Sequence, residues 1–279
     1  MRIALCNEVI REMDFAVQCE FAAKLGYDGL EIAPFTLDEN PHLLPASRRT
    51  EIRRTAEDAG IAITGLHWLL ITPEGLSLNS PDDALRARTI DVMERLVGLC
   101  ADLGGEVLVH GSPKQRSIPE GEDAAPWLAR TFDTLRAAAR AAENAGVTYC
   151  IEPLNATETN FVTTIAEAVR VVDEIDSPAL RTMIDNKAAT PMEDMPVSDL
   201  IDKWLPTGKI AHIHLNDTNL RAPGQGEDRF GPIMAALKRC NYAGVVGIEP
   251  FIYKPDGAAT AAFAIGYIRG ILETLEGNL

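Results

Sequence analysis

The chain has 279 residues, 46% of them hydrophobic and 24% charged, a balance proper to a globular protein and a length that α/β barrels reach as one domain, here residues 1–279. Its 41 acidic residues outnumber 26 Lys and Arg, for a net charge of −15, so a phosphate backbone meets a repulsive field and nucleic acid is not an expected partner. Five widely spaced cysteines without a CxxC pair suit reduced thiols, and no run approaches the ~18 apolar residues that span a bilayer, so the expectation is a cytoplasmic protein without a membrane role.

Eight short apolar runs follow in chain order: Arg2–Asn7, Gly29–Pro34, Ala62–Trp68, Glu106–Ser112, Thr148–Pro153, Leu180–Asn186, Ile210–Asn216 and Val245–Phe251. Between them lie helical patterns. Asp14 is placed to cap a helix with Phe15, Cys19 and Ala22 on its apolar face and Gly26 past its end. Ser80-Pro81-Asp82-Asp83 reads as N-cap, N1 proline and acidic first turn, with Leu85 to Leu103 at helical spacing up to Gly104. Phe132, Leu135, Ala139 and Ala142 continue to Gly146, and a last helix covers Ala258–Glu276. The strands barely alternate, as in parallel sheets buried on both faces. Eight βα units in succession predict a (β/α)8 barrel, whose long loops after strands three, four and seven would build the site.

Four metal-binding side chain types stand in or at the ends of the last four strands: Glu152 in YCIEP, Asp185 in MIDN, His214 in IHLN and Glu249 in GIEP. In a barrel those ends are neighbours on one rim, so three carboxylates and one imidazole converge. Each alone could be a structural ion-pair partner; together they suit one divalent cation, Mn²⁺, Mg²⁺ or Co²⁺ before a structural Zn²⁺.

The chain resembles the xylose-isomerase-like barrel superfamily, in particular sugar phosphate isomerase/epimerase proteins related to D-tagatose 3-epimerase. The matching stretches are GYDGLEIAPF (26–35), GLHWLL (65–70), SPKQR (112–116), IEPLNATETNF (151–161), MIDN (183–186), HIHLNDTN (212–219) and VVGIEPF (245–251). The resemblance implies a metal, Mn²⁺ foremost, on Glu152, Asp185, His214 and Glu249. His212 competes with His214, since alternation sends both to one face, but His214 lies nearer the rim. The resemblance also implies that Glu152 and Glu249 act as an acid/base pair on a metal-stabilised enediolate, and that Glu158 touches the substrate near its carbonyl. Homodimers or homotetramers are implied too.

Two positions depart from the ketose 3-epimerases. Ala188 stands where they carry a histidine, and Leu220, followed by Arg221, where they carry an arginine. The pocket that selects the sugar is therefore altered, and a lyase or dehydratase acting on a keto-sugar or keto-inositol is an alternative to the isomerase/epimerase. A DNA-repair enzyme similar to endonuclease IV is a further one, with His67, His110 and Glu152 as a second metal site. Otherwise His67 and His110 are candidates to bind sugar hydroxyls, Trp68 to form a pocket wall, and Arg221 to contact substrate. Lys114 and Arg116 are candidates for an anionic group, and Glu8 and Glu31 for hydroxyls. The expected partner is a small carbohydrate.

Overall fold

A computed structural model describes residues 1–277. Its eight strands are β1 (Arg2–Cys6), β2 (Gly29–Ile32), β3 (Ala62–Leu66), β4 (Val107–His110), β5 (Thr148–Ile151), β6 (Leu180–Asp185), β7 (Ile210–Leu215) and β8 (Val245–Ile248). They pair in parallel in chain order, and β1 closes on β8 to give a barrel. The expected (β/α)8 architecture is thus observed, with each strand ending one to three residues before its apolar run does. Rim residues just past the last ladder pair are free to turn toward a common centre.

The helices are α1 (Phe15–Leu25), α2 (Ala46–Asp58), α3 (Asp83–Leu103), α4 (Ala124–Ala145), α5 (Ile165–Ile175), α6 (Asn186–Met192), α7 (Val197–Trp204), α8 (Phe230–Arg239) and α9 (Gly257–Glu276). Gly26, Gly104 and Gly146 end α1, α3 and α4 in the left-handed conformation that stops a helix. One helix start differs from expectation. Asp82, not Ser80, caps α3, accepting from the Ala84 and Leu85 amides, while the Ser80 hydroxyl accepts from the Asp82 amide. A carboxylate there both satisfies free N–H groups and meets the positive end of the helix dipole.

The main apolar cluster lies between strands and helices, built from residues such as Leu30, Leu66, Leu108, Tyr149, Ile213 and Ile248 with Leu96, Leu135 and Phe230. A second, small cluster of Val107, Val109, Cys150 and Met183 is separate from it. Strand alternation explains the division: residues two apart share a face, so these four point into the barrel and their neighbours point out. The inward row continues upward into Glu152 after Cys150, and into Asp185 after Met183. All five cysteines are free thiols, four of them buried. Among the described residues no helix is long and apolar enough to cross a membrane.

Candidate metal centre and substrate cavity

Strand alternation, and for Glu8 a short 3-10 helix (Asn7–Ile10) that follows β1, carries five carboxylates and three histidines to the C-terminal half of the barrel interior. Glu8, Glu31, Glu152, Asp185 and Glu249 are all buried there with His67, His212 and His214. Glu152 and Glu249 follow β5 and β8 directly, Asp185 ends β6, and His214 is the penultimate residue of β7. One donor atom from each of Glu152, Asp185, His214 and Glu249 lies within 4.8 Å of every other. His212 is outside this group, one step deeper in the barrel.

The carboxylates are individually positioned. Asp185 accepts from the Ala188 amide at 2.7 Å, which caps α6, and from the Asn216 side chain at 2.7 Å. Asn216 also donates to the Glu249 carbonyl at 3.1 Å and accepts from the Lys187 amide at 2.9 Å. Glu152 rests against Gly111, where any Cβ would collide with its carboxylate. Beneath, Glu31 accepts from His212 Nε2 at 2.8 Å with one oxygen and from His214 Nε2 at 3.0 Å with the other. Because an ionised carboxylate only accepts, His214 carries a proton on Nε2 and turns Nδ1 toward Glu249, 3.1 Å away. A carboxylate behind a histidine fixes its ring and raises its basicity, the arrangement found behind metal-binding histidines.

The electrostatics show a place short of positive charge. Burial, then Glu249 and Asp185, pushes the Glu152 carboxyl up to about 8. Burial and Glu249 likewise raise Asp185. Burial alone would raise Glu249 as well, but His214 outweighs it and holds Glu249 below the ordinary carboxylate range. Against burial, Glu249 and Glu31 together lift His214 well above an ordinary histidine. Three converging carboxylates with a single imidazole form an oxygen-rich donor set that fits a hard or borderline divalent cation.

A cavity of about 370 Å³ opens above these groups, lined at its base by Glu152, Asp185 and Glu249. Trp68, Lys114 and Glu158 also line it. Lys187, which sequence reasoning missed, pairs with Glu158 at 3.2 Å and lies over the Phe251 ring at 4.9 Å from its centre. Its signal was only its place two residues after Asp185.

Other candidates lie elsewhere. His67 is interior and wholly buried; its Nε2 donates to Glu8 at 2.9 Å, and it does not line the cavity. Although burial opposes it, Glu8 and the neighbouring carboxylates raise His67 to about 9. His110 points outward, because alternation gives the inward places to Val109 and Gly111; its Nδ1 lies 2.7 Å from the Tyr149 hydroxyl. Among the described residues, no group of metal-donor atoms unites His67, His110 and Glu152. Arg116 is fully buried and donates to the carbonyls of Glu152 at 2.7 Å and His110 at 3.4 Å, so it braces two strand ends instead of facing the cavity. Leu220 lines the cavity and Arg221 does not. Leu220 takes a left-handed φ of 70°, and the chain turns there before Arg221. Glu8 and Glu31 bond histidines and do not line the cavity.

A closed barrel of parallel strands with its polar cluster at the C-terminal mouth defines a (β/α)8 protein with a candidate site at the rim. The chain belongs to the xylose isomerase-like TIM barrel family, whose model matches residues 19–270. It is 32% identical over 243 residues to the D-psicose 3-epimerase of Agrobacterium fabrum, covering 85% of this chain and 80% of that protein. The D-psicose 3-epimerase of Ruminiclostridium cellulolyticum is 29% identical, with 86% of this chain and 80% of that protein covered. Among solved structures, 3-keto-D-glucoside 4-epimerase from E. coli matches with a TM-score of 0.83 at 20% identity, covering 97% of this chain and 99% of that one. D-psicose 3-epimerase with D-tagatose from Clostridium cellulolyticum H10 matches with 0.82 at 23% identity, covering 98% and 99%. At those identities the structural likeness speaks to fold alone.

Proposed function

We propose that this protein is a divalent-metal-dependent sugar epimerase or isomerase with Glu152 and Glu249 as its acid/base pair. The observation that carries this reading is the convergence of Glu152, Asp185, His214 and Glu249 within 4.8 Å at the base of a cavity. The curated relatives cited above are sugar epimerases by name, which supports the same class. Glu152, Asp185, His214 and Glu249 would hold the cation, Mn²⁺ before Mg²⁺ or Co²⁺, with Zn²⁺ less suited to so oxygen-rich a set. Once bound, the cation supplies Lewis-acid polarisation of a substrate carbonyl and offsets the negative charge that develops on its oxygen.

The residues do the proton work. A C–H next to a carbonyl loses its proton to one glutamate, leaving an enediolate. The other glutamate returns a proton to the opposite face, inverting that carbon, or to the neighbouring carbon, isomerising the sugar. Glu152 and Glu249 come from strands three apart around the barrel, so a substrate between them presents one face to each. Lys187 and Glu158 stand at the cavity wall as partners for hydroxyls. Asn216 holds Asp185 and the β8 end together, which keeps Glu249 in register with the rest.

The test is solvent-deuterium incorporation. Mn²⁺-loaded protein incubated with ketoses and keto-glycosides in D₂O should place label on the carbon beside the carbonyl. Glu152→Gln and Glu249→Gln should each lower turnover by at least about 100-fold. Full activity in either variant removes that residue from the pair; absence of label across the panel removes the reading.

A further inference from the structure

A second set of donor atoms converges on the β1 side of the barrel. One donor atom from each of Cys6, Glu8, His67 and Glu249 lies within 4.8 Å of every other, and all four residues are buried. Glu249 is the member this set shares with Glu152, Asp185 and His214. Cys6 ends β1, Glu8 sits in the 3-10 helix after it, and Glu249 and His67 follow β8 and β3 directly. β8 pairs with β1, and β3 stands one strand beyond β2. Neighbouring strand ends thus deliver one sulfur, one imidazole and two carboxylates to a single point.

Three details go beyond proximity. The two oxygens of Glu249 face different partners: Oε2 lies 3.1 Å from His214 Nδ1, and Oε1 lies 3.9 Å from His67 Nε2. A carboxylate divided in this way can bridge two cations. His67 Nε2 lies 2.9 Å from Glu8 Oε2, so its two carboxylate distances bracket the ~3.3–3.8 Å between donors of a tetrahedral shell. The other ring nitrogen, Nδ1, is buried without a hydrogen-bond partner, 3.9 Å from Glu31 Oε1. Coordination through Nε2 would leave the ring proton on Nδ1, with Glu31 behind it as it stands behind His214. Finally, Cys6 is in neither of the apolar clusters formed by the described residues. A buried cysteine ordinarily packs as a small hydrophobe, whereas this sulfur also lies within 4.8 Å of donor atoms of Glu31 and His214.

We propose that Cys6, Glu8, His67 and Glu249 form a second cation site, selective for Zn²⁺, with Glu249 shared between the two sites. A thiolate is a soft ligand, and a four-donor set of sulfur, nitrogen and oxygen suits tetrahedral Zn²⁺. The set of Glu152, Asp185, His214 and Glu249 has no sulfur and three carboxylates, so the two sites sort cations by softness. Binding exchanges the thiol proton for the cation, and the proton leaves to solvent. Glu249 lines the cavity and gives the ion its way in.

Co²⁺ is the probe, because it takes the tetrahedral sites of Zn²⁺ and reports a thiolate ligand by a near-ultraviolet charge-transfer band. Reduced protein, kept free of oxygen, is titrated with Co²⁺ and followed by absorption. The parent should show the band, and Zn²⁺ should then abolish it. Cys6→Ser should lose the band, whereas Cys240→Ser, at the one free cysteine that is not buried, should keep it. His67→Gln retains the thiol and removes the imidazole; it should raise the Co²⁺ concentration at half-saturation by at least about tenfold. No band in the parent, a band that Zn²⁺ leaves in place, one that survives Cys6→Ser or vanishes in Cys240→Ser, or an unchanged half-saturation in His67→Gln would overturn the proposal. Glu8 and His67 would then be an ion pair only. The band reports sulfur and is read without turnover, so a failure of deuterium exchange strikes the epimerase reading separately.

Discussion

Glu31 sits beneath the cluster with one oxygen bonded to His212 and the other to His214. It would act on the cation only through His214, by fixing the ring so that Nδ1 faces Glu249. Glu31→Gln should therefore weaken Mn²⁺ binding by about 10- to 100-fold, measured by calorimetric titration. A change under about threefold would show that packing alone orients the ring. His110 makes a different prediction. Burial first, then the Arg116 charge, lowers it to about 3. Its folded pKa thus lies below its unfolded value of about 6.5. The stability this represents is complete above pH ~6.5 and is lost as pH falls from there toward 3, because the unfolded chain binds the proton more readily. Replacing His110 by Gln should make the loss of stability between pH 7 and pH 4 smaller by roughly 3 kcal/mol, as followed by urea denaturation. Parallel pH profiles in parent and variant would refute a buried neutral His110. Neither role was legible from residue type: His67, His110 and Glu31 all stand near strand ends, and only the partner each meets separates them.

At the scale of elements, most of the fold was readable because each element announces itself locally. Apolar runs of strand length, glycines after helices and an acidic first turn are short-range signals. The starts of α3 and of the rim loops were less so, since Ser80 and Asp82 are both good caps and backbone geometry selects between them. Asp82→Ala should destabilise the protein by about 1 kcal/mol in urea denaturation, with catalysis unaffected. A cost near zero would mean that the Ser80–Asp82 turn caps the helix by other means. The site acids belong to this scale as well. A motif such as IEP or IDN places a carboxylate where a strand stops, and alternation fixes whether it points inward. The same alternation turns His110 outward and Glu152 inward. Counting residues from Val109 and Cys150 separates them only once the inward face of each strand is known. Leu220 lies outside such counting, because its left-handed turn breaks the period; only the family resemblance placed it at the pocket, and it does line the cavity.

For the whole molecule, barrel closure gathers charge that the chain keeps far apart. Glu8 and Glu249 are separated by most of the sequence, yet both have carboxylate oxygens near His67 Nε2, at 2.9 and 3.9 Å. Buried carboxylates in such number oppose folding unless histidines and a cation compensate them. A ligand that binds only the folded state stabilises it, by about 2.7 kcal/mol at 100 times its Kd. Mn²⁺ should therefore raise Tm by several degrees, and Asp185→Asn should lose most of that rise in a thermal melt. An unchanged melting curve at millimolar Mn²⁺ would count against the metal centre. What the sequence by itself determined was the (β/α)8 architecture and the family resemblance, which offers Glu152, Asp185, His214 and Glu249 as a candidate metal-binding set; the structure brings their donor atoms within 4.8 Å of one another. Period, spacing and strand-end placement are local properties, written where the residues stand. Only the tertiary structure decided which side chains face the cavity. Closure brought Glu31 under His214 and Lys187 against Glu158. It left His67, His110, Arg116 and Arg221 off the cavity wall. Such contacts join residues tens to hundreds of positions apart, and they depend on the register and bends of strands and loops that no local pattern encodes.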